Sequence, residues 1–159
     1  YLSGDSDAMN KKTFHSLDKP DFTLHEIEVN PVEKKSYEIL DEFDQIEINT
    51  KITLKSDKNI HMTYVLKNEV GESLFSFTHA SSGIKLKMGF NELKCVLPKG
   101  FLNTGQFYLS VYIVLDGKSV IYEDVDIMSF SIHEGERPIG SWMGREPGNI
   151  KPKFDWTLA

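Results

Sequence analysis

The sequence predicts an all-β protein built as an antiparallel sandwich, and three observations predict it. Phe107, Leu109, Val111, Ile113 and Leu115 alternate with Tyr108, Ser110, Tyr112 and Val114, the two-residue period of a strand with one buried face. Short runs of this kind recur along the chain between turn signals such as Asp116-Gly117. No window of helical length carries a 3.6-residue apolar period.

Taken in order, residues 1 to about 20 are polar and aperiodic and read as a linker that ends at Pro20. Residues 21–135 form the sandwich domain. Within it, 22–29 is extended and mixed. Residues 45–54 place Ile46, Ile48, Ile52 and Leu54 inward, with Thr50 the one polar residue in that phase. In 60–67, Ile60, Met62, Tyr64 and Leu66 share the inward face, and Val70-Gly71-Glu72 turns the chain. Leu74–His79 is a short strand. Ile84–Phe90 and Leu93–Leu97 are a further pair or one broken strand, with Gly89 at a bulge. Pro98 to Gly105 is a loop, followed by strands 107–115 and 119–132. In the last of these, Ile121, Val125 and Ile127 share one parity and Met128, Phe130 and Ile132 the other, so a bulge is expected near 127–128. The tail 136–159 is rich in Gly and Pro yet holds Trp142, Phe154 and Trp156. A segment this irregular cannot bury such side chains alone, so it is expected to pack on the partner of a homodimer.

Composition narrows the function. A formal charge of −6 and a pI near 5.4, with scattered lysines and arginines, speak against a nucleic-acid partner. The single cysteine, Cys95, is in phase with Leu93 and Leu97 and reads as a small buried apolar residue. No internal disulfide is possible, which favours a reducing compartment. There is no glycosylation sequon, signal peptide or apolar run of membrane-spanning length. The chain opens on Tyr-Leu rather than Met and reads as a piece of something larger.

Little catalytic chemistry is visible. Gly117-Lys118-Ser119 echoes the end of a phosphate-binding loop, but position 112 is tyrosine where that loop needs glycine, and the segment joins two strands. No histidine among 15, 25, 61, 79 and 133 stands at metal-ligand spacing from another or from the cysteine. His15 reads as a solvated linker residue, and His25 and His133 as surface residues near strand ends. The pairs Asp41-Glu42 and Asp124/Asp126 could serve hydrolysis or calcium, but their setting favours solvated carboxylates. The sequence thus implies neither enzyme nor cofactor nor metal site.

The outward face of the 107–115 strand remains. If strands 60–67, 107–115 and 119–132 are neighbours in one sheet, their outward residues form one patch. It holds His61, Thr63, Tyr108, Ser110 and Tyr112, with Ser129 and Ser131 beside them. Aromatic faces beside hydroxyls and imidazole suit sugar rings, which stack through C–H faces and need directional partners for their hydroxyls. An ordinary solvent face is the bland alternative, since Tyr and Thr favour strands anyway. Should the patch bind nothing, the loop Phe77–Gly83 with His79 and the region around Trp142 are the next places to look.

Several segments, in order, resemble the C-terminal domain of Wzt-type ATPases from polysaccharide (O-antigen) ABC exporters, over roughly residues 22–156. They are Phe22-Thr-Leu-His-Glu-Ile-Glu-Val29, Ile46-Glu-Ile-Asn-Thr-Lys-Ile52 and Tyr64-Val-Leu-Lys-Asn-Glu-Val-Gly71. Leu102-Asn-Thr-Gly105-Gln-Phe-Tyr-Leu-Ser-Val111, Phe130-Ser-Ile132 and Phe154-Asp-Trp156 complete the set. Tyr1-Leu-Ser-Gly4 also looks like the end of an exporter ATPase domain, which makes 1–20 the linker from a missing ATPase domain. The resemblance implies an immunoglobulin-like antiparallel β-sandwich and a non-catalytic carbohydrate-binding role. The ligand would be the finished O-antigen polysaccharide, at its non-reducing end, bound on the cytoplasmic side of the bacterial inner membrane. The implied partners are a second copy and, through the full-length protein, the transmembrane subunit of the exporter. The family supplies no short motif of sugar-contacting residues, so the patch rests on the strand pattern alone. A structural or interaction sandwich without a sugar site, and an adhesin-like surface module, are the competing readings.

Overall fold

The computed structural model describes residues 7–8, 11–14, 17–35 and 38–158. Its strands are β1 (Asp7–Ala8), β2 (Lys11–Thr13), β3 (Phe22–Pro31), β4 (Ile46–Leu54), β5 (Ile60–Asn68), β6 (Ser73–Thr78), β7 (Gly89–Val96), β8 (Gly105–Leu115) and β9 (Ser119–Ile132). They form two antiparallel sheets, ordered β1-β2-β3-β4-β7 and β6-β5-β8-β9, which face each other as a sandwich. The only helical turn among the described residues is a short 3-10 segment, His79–Ser82. The all-β expectation is therefore met.

The core follows from alternation. Phe22, Leu24, Ile27 and Val29 of β3 and Ile46, Ile48, Ile52 and Leu54 of β4 are buried. They meet Ile60, Met62, Tyr64 and Leu66 of β5 and Phe107, Leu109, Val111 and Ile113 of β8. Phe107 stacks on Phe130 with ring centroids 5.7 Å apart. Thr50, the polar exception in β4, is fully buried, and its hydroxyl pairs with the Tyr64 hydroxyl 2.6 Å away on the opposite sheet. Burial drives the Tyr64 phenol well above its ordinary pKa, so it stays a neutral hydrogen-bonding partner. Thr50→Val or Tyr64→Phe alone is expected to cost about 1–3 kcal/mol, because each takes from a buried hydroxyl its partner at 2.6 Å. The double variant should cost clearly less than the sum of the two, which denaturant unfolding of the four proteins would measure.

Four features depart from the sequence reading. First, the stretch read as a linker contributes to the fold. Lys11, Lys12 and Thr13 pair with Glu28, Ile27 and Glu26 of β3, and Phe14 is buried. A three-residue strand held by backbone pairing has too few side chains to show a period. His15 lies outside the described residues. Second, residues 84–87 form no strand, and Ile84 and Met88 are exposed. The Asn91 side chain instead bonds the Lys87 backbone N–H and the carbonyls of Lys87 and Gly89, shaping a turn before β7. Cys95, on that edge strand, is half-buried.

Third, β9 keeps one parity from Tyr122 to Ile132. Tyr122, Asp124, Met128, Phe130 and Ile132 all oppose inward residues of β8. Between them Val125, Asp126 and Ile127 stand opposite Ser110 alone, a bulge of two extra residues, which preserves phase where a single insertion would reverse it. A second bulge at Ile121 leaves that residue exposed, as Val125 is, while Tyr122 packs edge-on against Phe22. Fourth, the first part of the tail, residues 137–151, is fastened to its own sandwich. Asn103, 1% exposed, donates to the carbonyls of Glu146 and Gly148, and Leu102 bridges to Ile150. Glu42, read as a solvated carboxylate, is only 3% exposed and binds Arg137 and Lys151 of this tail.

Candidate functional site

The register of β5, β8 and β9 brings most of the expected patch together. Tyr108 stands between Lys67 of β5 and Ser129 of β9, and Tyr112 between Thr63 and Glu123. His61 opposes Val114 one step beyond Thr63. The two tyrosines are both half-buried and, at about 3.4 Å of rise per residue, stand roughly 14 Å apart along one strand.

Ser110 does not belong to this exposed patch. It is 0% exposed, and its Oγ accepts a hydrogen bond of 2.9 Å from the Asp126 backbone N–H. The β9 bulge folds over it, something no alternation in β8 can reveal. The same bulge holds Asp126 in the left-handed region, at φ 56°, and turns its carboxylate toward Lys67, 3.3 Å away. An aspartate tolerates that backbone better than most residues. Lys67 and Asp126 thus form a charged pair beside Tyr108. On the other flank, Ser131 donates to the Gln106 side chain. Lys67 was visible in the sequence as an outward position of the 60–67 strand, whereas Asp126 is placed by the bulge.

His79 has a structural job at the edge of this face. Its Nε2 accepts from the Met62 backbone N–H at 3.0 Å, so its Nδ1 carries the proton and donates to the Ile84 carbonyl at 2.7 Å. Burial lowers its pKa, and the His61 ring, 6.2 Å away, adds to that, while the Ile84 carbonyl opposes it. His79 therefore ties the 79–84 turn to β5 as a neutral imidazole and has no nitrogen left for a ligand. His25 likewise pairs with the Thr53 hydroxyl, 2.7 Å away.

Between the edges of the two sheets lies a cleft of about 310 Å³, reached by Lys12, Phe14, Tyr122 and Asp124. Asp124 accepts from the Tyr122 hydroxyl at 3.2 Å. Asp126 lines the same cleft, but its carboxylate pairs with Lys67 while that of Asp124 pairs with the Tyr122 hydroxyl, so the two are held by different partners rather than jointly. Among the described residues no group of three or more histidine, cysteine or carboxylate side chains is placed to hold a metal ion. None of their helices is long and apolar enough to cross a membrane.

No protein-family model matches the chain, and no curated protein matches it. Among solved structures it is similar to the crystal structure of the C-terminal domain of wzt, with a TM-score of 0.67 and 14% sequence identity. The match covers 99% of this chain and 93% of that one. The chain shares the fold of the C-terminal domain of wzt.

Proposed function

We propose that this domain binds a bacterial export polysaccharide of the O-antigen type, without altering it, and presents it to an ABC exporter. The observation that carries the reading is the shared outward face of β5, β8 and β9, on which Tyr112 stands beside Thr63 and Tyr108 beside Lys67, with Gln106 next in line on the same strand. Core burial does not require two tyrosines there. The likeness of fold and the sequence resemblance to exporter ATPase domains supply the class of ligand. They also support a setting at the cytoplasmic face of the inner membrane, with the exporter's transmembrane subunit as partner of the full-length protein.

Affinity at a single site should fall between micromolar and millimolar, because a shallow polar face gains little from apolar burial and must strip water from many hydroxyls. A homodimer would raise the avidity where one glycan reaches both sites. Tyr108→Ala and Tyr112→Ala are each expected to weaken polysaccharide binding by roughly 1–2 kcal/mol while leaving the thermal unfolding midpoint nearly unchanged. Calorimetric titration with a panel of O-polysaccharides checks this. Two folded variants that bind as tightly as the parent would move the site elsewhere. A parent that binds no member of the panel would favour the plain structural sandwich.

A further inference from the structure

Outside the sheet face, one aromatic side chain is both exposed and firmly held. Trp142 is 70% exposed, yet its loop is anchored. The Arg137 guanidinium donates from Nη1 to the carbonyls of Trp142 and Gly144, at 2.8 and 2.6 Å. Its Nε and Nη2 bind the carboxylate of the buried Glu42 at 3.0–3.3 Å. Lys151 completes the cluster, 3.0 Å from the same carboxylate, with its ammonium 5.2 Å from the Phe43 ring centre. The indole itself lies across Gly144, where an added Cβ would come within 2.6 Å of the ring. Burying such charges carries a large desolvation cost. Here the arrangement fixes an irregular loop that presents one indole to solvent.

Beside the indole is a pocket of about 200 Å³, lined by Phe43, Pro138, Ser141, Trp142, Glu146 and Lys151. It is smaller than a drug-sized site and has room for a single ring. Every nitrogen of Arg137 is already engaged, and Lys151 is directed at Glu42, so the pocket offers no cation to an acidic group. What it offers is a flat aromatic wall beside Ser141 and Glu146, residues whose side chains can exchange hydrogen bonds with sugar hydroxyls.

We infer that Trp142 and this pocket form a second glycan subsite, which takes one neutral pyranose ring stacked on the indole. The inference rests on the polysaccharide-binding reading above but uses a different part of the molecule. Arg137 and Gly144 are positioning residues in it, and Trp142 is the contact.

The chain has two tryptophans, so Trp156→Phe leaves Trp142 as the sole indole reporter. In that variant, methyl pyranosides at millimolar concentration and O-polysaccharide should each change the Trp142 emission saturably. Trp142→Ala should weaken polysaccharide binding about 3- to 10-fold, the equivalent of one aromatic contact. Gly144→Ala, which displaces the indole without removing it, should do the same. Emission unmoved by a polysaccharide that still binds through Tyr108 and Tyr112 would overturn the subsite and leave the sheet site standing. Emission that shifts with protein concentration alone would also overturn it, because a second copy would then be covering the indole. If no polysaccharide binds, the methyl pyranoside titration still decides: a saturable change supports the pocket, and none refutes it.

Discussion

Replacing Glu42 with alanine is expected to destabilise the domain by about 3–5 kcal/mol, the usual cost of removing one partner from a buried ion pair. Glu42 is 3% exposed, and its carboxylate receives Arg137, Lys151 and the Gly135 backbone N–H. Without it, two cations remain in a site with little water, and the loop carrying Trp142 loses its anchor. Burial on its own would raise the Glu42 pKa, but the hydrogen bonds from Lys151, Gly135 and Arg137 outweigh it and hold the carboxyl below its ordinary range. The stabilisation is therefore complete above the unfolded-state value, near 4.3, and is lost as pH falls through the lower folded value. Urea unfolding of parent and Glu42→Ala across that range measures both effects. The variant should lose most at neutral pH, and the two curves should converge in acid. A Glu42→Ala protein as stable as the parent at pH 7 would refute this account.

We propose that the end of the tail joins two copies of the domain, so truncation after Lys151 is expected to leave a monomer. Phe154, Trp156 and Leu158 are 72%, 90% and 103% exposed and fall at every second position, the spacing of one apolar strand face. Aromatic side chains bury about 150–250 Å² each when covered, so a pair of such tails presents more apolar surface than a monomer ordinarily leaves in water. The structure refines where to cut. Trp142, grouped with Phe154 and Trp156 in the sequence reading, sits on a loop fastened to its own sandwich, whereas the hydrogen bonds described above end at Lys151. Removing 152–159 therefore spares the Glu42 cluster, while a cut at 140 would break it and confuse instability with dissociation. Light scattering on the shortened chain is the test. A truncated protein that remains a stable dimer would place the interface elsewhere.

The strands β4, β5 and β8 were legible in the sequence because burial on one side imposes a strict two-residue period. Ile46 to Leu54, Ile60 to Leu66 and Phe107 to Leu115 have little freedom to do anything else. The same parity placed Tyr108, Tyr112, His61 and Thr63 on one outward face, and their assembly needed only that β5 and β8 be neighbours. Where parity was interrupted, tertiary structure decided. The two-residue bulge in β9 buried Ser110 and swung Asp126 toward Lys67, because pairing geometry depends on both strands and a sequence displays one at a time. Glu42 looked like any surface carboxylate until Arg137 and Lys151, some hundred residues away, supplied the charges that make its burial tolerable. Local periodicity records which side of a strand faces the core. Which distant groups meet across loops and tails is set by chain closure and charge pairing, which leave no period to read.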